Sequence, residues 1–216
     1  MDFRDVIETT EACRFYRPDP LPDEVLARVL DAARYAPTGG NRQGVRFLVV
    51  RDAAKRRQLR DWYLPIWEQY ISRATVKPDA PRARLLENAD HMARHLDQVP
   101  ALIVVCAQLD DLLATDRHLD RLSIVGGGSV YPAVQNLLLA ARAEGLGTAL
   151  TTLLCAVEPQ VKELLGIPDG IATAAMIPIG YPARGFPRKL TRRPIEEICF
   201  GDAWGQPLFV RSAKSS

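Results

Sequence analysis

Ala101-Leu102-Ile103-Val104-Val105-Cys106 is a continuous apolar run. A strand with one wet face alternates apolar and polar side chains, so an unbroken run marks a strand covered on both faces. Working outward, residues 45–50, 148–154 and 171–179 also read as strands. Helices are expected at 2–12, 23–35, 53–73, 82–98, 131–144 and 158–165. The second opens on Pro22-Asp23-Glu24, where acids favour a first turn. Its Val25, Leu26, Val29, Leu30 and Ala33 share one face. Pro132 suits the first turn of the fifth helix, and Gly145-Leu146-Gly147 stops it. Breaks are expected at Pro37-Thr38-Gly39-Gly40-Asn41 and at Lys77-Pro78-Asp79-Ala80-Pro81. No repeat or low-complexity tract divides the chain, so residues 1–216 read as one domain. From Gly180 onward the sequence is irregular. That is long for a compact domain, and a segment lying across another surface is expected.

The 216 residues can bury a substantial core. Lys and Arg number 28 against 26 Asp and Glu, a net charge of +2. No global field therefore points to nucleic acid or an acidic membrane, and any anion site must be local. Cys13, Cys106, Cys155 and Cys199 form no Cys-x-x-Cys pair, which argues against a zinc ribbon or a dithiol motif. Met1-Asp2-Phe3-Arg4-Asp5 lacks the apolar core of a signal peptide, and no apolar run reaches membrane-spanning length. The cytosol is the expected compartment.

The nucleotide fingerprints G-x-G-x-x-G and G-x-x-x-x-G-K-[ST] are missing, as is the G-x-S-x-G serine elbow. Two local signals remain. Arg184, Arg188, Lys189, Arg192 and Arg193 lie within ten residues with no acid among them. Guanidinium groups pair bidentately with phosphate oxygens, although the same run also suits a solvated surface. The loop Ala36-Pro37-Thr38-Gly39-Gly40-Asn41-Arg42-Gln43 combines paired glycines with polar side chains. It could admit a ligand to the backbone or could simply connect a helix to a strand.

Four markers in order carry a resemblance. Thr9-Thr10-Glu11-Ala12-Cys13-Arg14-Phe15-Tyr16-Arg17-Pro18-Asp19-Pro20 resembles the opening of the FMN-dependent nitroreductase family. The 36–43 loop is similar to its Ala-Pro-Ser-x-x-Asn-x-Gln loop. Gln135-Asn136-Leu137-Leu138-Leu139-Ala140-Ala141 followed by Gly145-Leu146-Gly147 resembles its helix and Gly-Leu-Gly segment. Ile179-Gly180-Tyr181-Pro182 and Arg192-Arg193-Pro194-Ile195-Glu196-Glu197 are similar to its C-terminal markers.

The resemblance implies an α+β sandwich with a central, mostly antiparallel sheet flanked by helices, in an intertwined homodimer. Residues of about 181–216 would wrap the partner subunit. FMN would lie between subunits, with Arg14 on its phosphate, joined by Arg192 or its neighbour Arg193. Pro37, Thr38, Gly39, Asn41 and Gln43, from the other subunit, would touch the ribityl chain and ring. The backbone at Thr151, Thr152 and Leu153 would face the flavin. The implied activity is ping-pong hydride transfer from NAD(P)H to a nitroaromatic or quinone-type acceptor, with no catalytic side chain. The rival from another class is a protein that holds flavin without nicotinamide-driven turnover.

Two departures, and some further candidates, bear on this. Glu11 and Ala12 stand where the family often has Arg and Ser, so Glu11 is expected to point away from a phosphate. Gln43-Gly44-Val45 replaces Gln-Pro-Trp and removes an aromatic body. Glu87, His91 and His95 share a helix face, which reads as an exposed face or pocket rim and not as a metal site. Trp62, Tyr63, Trp67 and Tyr70 read as core or, by preference, dimer contact more than as a lid over a ligand. Cys13 and Cys155 read as spectator thiols, and Gly126-Gly127-Gly128-Ser129 as either an anion site or a flexible lead into a helix.

Overall fold

A computed structural model describes residues 1–73 and 79–209. Lys77 and Pro78 of the expected break, and the tail beyond 209, lie outside the described residues. The elements in order are α1 (Phe3–Thr9), α2 (Asp23–Ala33), β1 (Val45–Val50), α3 (Ala53–Ser72), α4 (Ala80–Arg94), β2 (Ala101–Gln108), α5 (Tyr131–Ala143), β3 (Gly147–Thr148), α6 (Glu158–Leu165) and β4 (Ile171–Gly180).

The strands form one sheet in the order β1-β2-β4-β3, with every pairing antiparallel. Ala101 to Ala107 of β2 are all buried, as the apolar run requires. Alternate side chains serve opposite layers. Ile103 and Val105 pack with Val29 and Ala33 of α2 and with Val134, Leu137 and Ala141 of α5. Leu102, Val104 and Cys106 pack with Leu59, Tyr63 and Trp67 of α3, with Ala89 and Ala93 of α4, and with Val161 of α6. The architecture is an α+β sandwich with helices on both faces of the sheet.

Local chemistry sets the helix ends. Asp52 accepts from Lys55 N at 2.8 Å and Asp79 from Arg82 N at 2.9 Å, so α3 and α4 begin at capped turns. After α5, Gly145 takes φ +77° and Leu146 N donates to Ala141 O at 2.8 Å, a left-handed stop. The first helix ends at Thr9, short of the expected residue 12, because Thr10 turns extended and Ala12 bridges to Thr148.

The expected strand at 148–154 needs correction. Only Gly147 and Thr148 form ladder with β4; Thr151 bridges Met176, and Leu153–Val157 is a 3₁₀ turn. Pro178 explains the break. It accepts from Ala149 N at 3.3 Å but has no N–H to return toward that edge. The excursion after β2 is organised by buried Asp116, which accepts from Ser123, Ile124 N–H and Arg121. Ser123 first, then the Ile124 N–H, hold its carboxyl down to about 2.

Candidate functional site

Residues 12–17 are stitched between β3 and the chain leaving β4. Cys13 N donates to Thr148 O at 2.8 Å, Arg17 N to Tyr181 O at 2.9 Å, and Ala183 N to Phe15 O at 2.9 Å. The Tyr16 hydroxyl donates to Cys13 O at 3.0 Å. Gly147 is what lets this segment approach: a Cβ there would lie 2.6 Å from Cys13 Sγ and 2.7 Å from its Cβ. Gly147→Ala is expected to lower stability by about 1–3 kcal/mol, and Gly147→Val by more. Urea unfolding checks this; an unchanged midpoint for both variants would show that residues 12–17 yield freely.

This stitching places Arg14 in a cavity of about 250 Å³ with Tyr63, Trp67, Met92 and residues 150–153. The guanidinium reaches Met92 Sδ at 3.5 Å and meets no carboxylate among the described residues. Tyr63 and Trp67 are buried. The Tyr63 hydroxyl lies 3.1 Å from Thr151 Oγ1, and Trp67 Nε1 donates to Asp90 at 3.0 Å. Tyr63 and Trp67 therefore wall the cavity from inside the core, and Tyr70 at the rim is exposed. Burial pushes the Tyr63 hydroxyl pKa up. The Thr152 N–H takes no partner among the described residues, because the chain has just left the ladder.

A second cavity, about 180 Å³, is also lined by Arg14, together with Glu11, Asn88, Arg184 and Phe186. Glu11 thus lines a cavity with Arg14, and desolvation pushes its carboxyl pKa up. Arg184, set among the surface basics by sequence, lies over the Phe15 ring with its guanidinium carbon 3.4 Å from the centroid. His91 stacks on Phe15 at 4.4 Å and His95 on His91 at 4.2 Å. Burial first, then His95 and Arg184, push the His91 pKa down. The two imidazoles stack instead of converging, and among the described residues no His, Cys, Asp or Glu group is placed to hold a metal ion. Spacing alone could not reveal this column, since Phe15 and Arg184 reach it from distant parts of the chain.

The remaining expected residues lie elsewhere in this chain. Thr38 and Gln43 line a separate cavity of about 350 Å³ with Leu30, Arg34 and Phe47, on the α2–α5 side of the sheet. Gly40, Asn41 and Gln43 have φ of 60°, 53° and 53°. Two non-glycine residues held left-handed store strain of the kind that collects at binding loops. Pro37 precedes the loop, Gly39 N donates to Ser129 Oγ at 3.0 Å, and Gln43 N donates to Thr38 Oγ1 at 3.0 Å. The Gly126–Ser129 stretch is thereby occupied in holding the loop, with Gly127 close against the Tyr131 ring. Gly44 is required where the aromatic-containing pattern departs, because a Cβ would lie 2.7 Å from Asp111 Cβ. Arg192 and Arg193 are exposed, and among the described residues Arg192 donates only to the neighbouring Thr191 O at 2.8 Å. One chain does not bring them to Arg14. Burial pushes the Cys13 and Cys155 thiol pKa values up, consistent with unreactive thiols.

Comparison with known proteins adds to this geometry. The chain is 28% identical over 215 residues to an NADH dehydrogenase of Thermus thermophilus, covering 86% of this chain and 88% of that protein. It is 32% identical over 181 residues to 5,6-dimethylbenzimidazole synthase of Rhodospirillum rubrum, covering 81% and 79%. Its fold is similar to a crystal structure of iodotyrosine deiodinase bound to FMN and 3-iodo-L-tyrosine, with a TM-score of 0.67 at 24% identity, covering 89% of this chain and 96% of that one. A model of the nitroreductase family matches residues 7–181. With that match spanning most of the domain, and the sandwich fold to accompany it, the chain belongs to the nitroreductase family.

Proposed function

We propose that the protein is an FMN-dependent oxidoreductase that passes hydride from NADH or NADPH to an electron-poor planar acceptor, and that it works as a homodimer. The observation that carries this reading is the half-built cavity at Arg14. Among the described residues, a cation without a carboxylate partner, a backbone N–H at Thr152 without an acceptor and an aromatic wall line a cavity of about 250 Å³. Pockets that enclose a ligand of flavin size run to roughly 300–1,000 Å³. A second surface would complete the site, and the strained 38–43 loop on the opposite layer is suited to supply it from a partner subunit.

The residues present fit a flavin mononucleotide. When bound, it supplies the two-electron carrier between nicotinamide and acceptor. Arg14 provides positive charge, placed to favour an electron-rich ring or a phosphate. The Thr152 N–H would offer a donor to the ring, and the Tyr63–Thr151 contact holds that backbone turn in place. Tyr63 and Trp67 keep water from one wall. In this reading no side chain is needed to shuttle protons. Arg192 and Arg193 would reach the phosphate from the partner's tail. Among the described residues no helix is long and apolar enough to cross a membrane.

The test is anaerobic mixing of FMN-loaded protein with NADH or NADPH. The yellow colour should bleach with at least one nucleotide and return on adding a quinone or nitroaromatic. Protein that retains FMN yet stays yellow with both nucleotides would be a flavin carrier and not this enzyme.

A further inference from the structure

We infer that the cleft between α3 and α4 is the acceptor's binding site and that it selects aromatic carboxylates. The cleft has a volume of about 480 Å³ and is walled by Ile66, Tyr70, Ile71, Leu86 and Leu153. That size and apolar lining suit one ring system. Tyr70 and Leu153 also line the Arg14 cavity, so a ring in the cleft abuts the flavin pocket directly.

The charge at the cleft has one sign. Arg73, which caps the C-terminal end of α3, and Arg82, in the first turn of α4, both line it. Neither guanidinium meets a carboxylate among the described residues, whereas Arg28, Arg51, Arg60 and Arg94 are each paired. The nearby acids are engaged elsewhere. Asp79 accepts from the Arg82 backbone N, while Glu68 and Asp90 accept from Arg94. Two open cations beside an apolar slot are complementary to a ligand with a ring at one end and a carboxylate at the other.

The role of this ligand as acceptor rests on the flavin reading above; the anion preference belongs to the cleft itself. The probes are 4-nitrobenzoate and its neutral counterpart 4-nitrobenzamide, titrated by calorimetry into the FMN-loaded protein. The carboxylate is expected to bind about tenfold more tightly, with the difference shrinking as salt is raised. Arg73→Gln combined with Arg82→Gln should abolish the preference and leave the amide's affinity unchanged. Both side chains are exposed, and retention of FMN by the double variant reports that it is folded. Leu86→Trp, which fills the slot, should weaken both probes. Equal affinities in the unaltered protein, or a preference that survives the double substitution, would overturn the inference. Flavin that bleaches with nucleotide while the probes bind equally overturns this inference alone. A cleft that prefers the carboxylate beside flavin that never bleaches overturns the enzyme assignment alone.

Discussion

Arg14→Ala should weaken FMN binding by about tenfold to a hundredfold, and riboflavin binding by less. A charge-assisted hydrogen bond from an arginine contributes roughly 1.5–3 kcal/mol, and Arg14 has no carboxylate competing for its donors among the described residues. It lines two cavities, one shared with residues 150–153 and one with Glu11 and Arg184. Arg184 lies against Phe15 in the second cavity, so Arg184→Ala should cost FMN affinity several-fold while riboflavin is spared. Glu11→Gln should strengthen FMN binding by removing a carboxylate that faces the same space, most clearly at low salt. Quenching of free-flavin fluorescence measures each affinity. Equal losses for the two ligands, or none from Arg14→Ala, would put the phosphate elsewhere.

Removal of residues 191–216 should convert a dimer into a monomer that no longer retains flavin. Leu190 N donates to Glu8 O at 2.8 Å and Lys189 pairs with Glu8 at 3.1 Å, so the chain is tied down as far as Leu190. Beyond that point Ile195, Ile198, Trp204, Leu208 and Phe209 stand about half exposed or more, Trp204 at 91%. Side chains of this size contribute roughly 1.5–3 kcal/mol each on full burial. Even half of that, taken over five residues, corresponds to at least about a hundredfold in dimer affinity. Sedimentation at micromolar protein should give the dimer mass for the whole chain and the monomer mass for the shortened one, with far-ultraviolet dichroism confirming that both are folded. A whole chain that sediments as a monomer, or a shortened one that stays dimeric, contradicts the assignment of the tail.

Much of the fold was legible because its signals are local. The apolar run at 101–106 announced a strand covered on both sides, and Ile103 and Leu102 do serve opposite helical layers. Asp52, Asp79 and Gly145 act on the backbone within a turn of themselves, so the helix ends they set fell near expectation. The 148–154 segment did not follow its propensity. Whether it pairs depends on the N–H that Pro178 lacks, almost thirty residues away in sequence.

The candidate site divides along the same line. Arg14 and the 37–43 loop were singled out by contiguous markers of residue type and order, and Thr151 to Leu153 by what the resemblance implies. Tertiary structure alone decided that Arg14 and residues 150–153 share one cavity while the loop lies on the other side of the sheet. It also decided that Arg184, Phe15, His91 and His95 form one column, and that Arg73 and Arg82 face one cleft. The physical reason is the range of each interaction. Backbone periodicity and capping act over a few residues and are written in composition, whereas stacking and charge convergence depend on where a folded backbone carries side chains that are far apart in the chain.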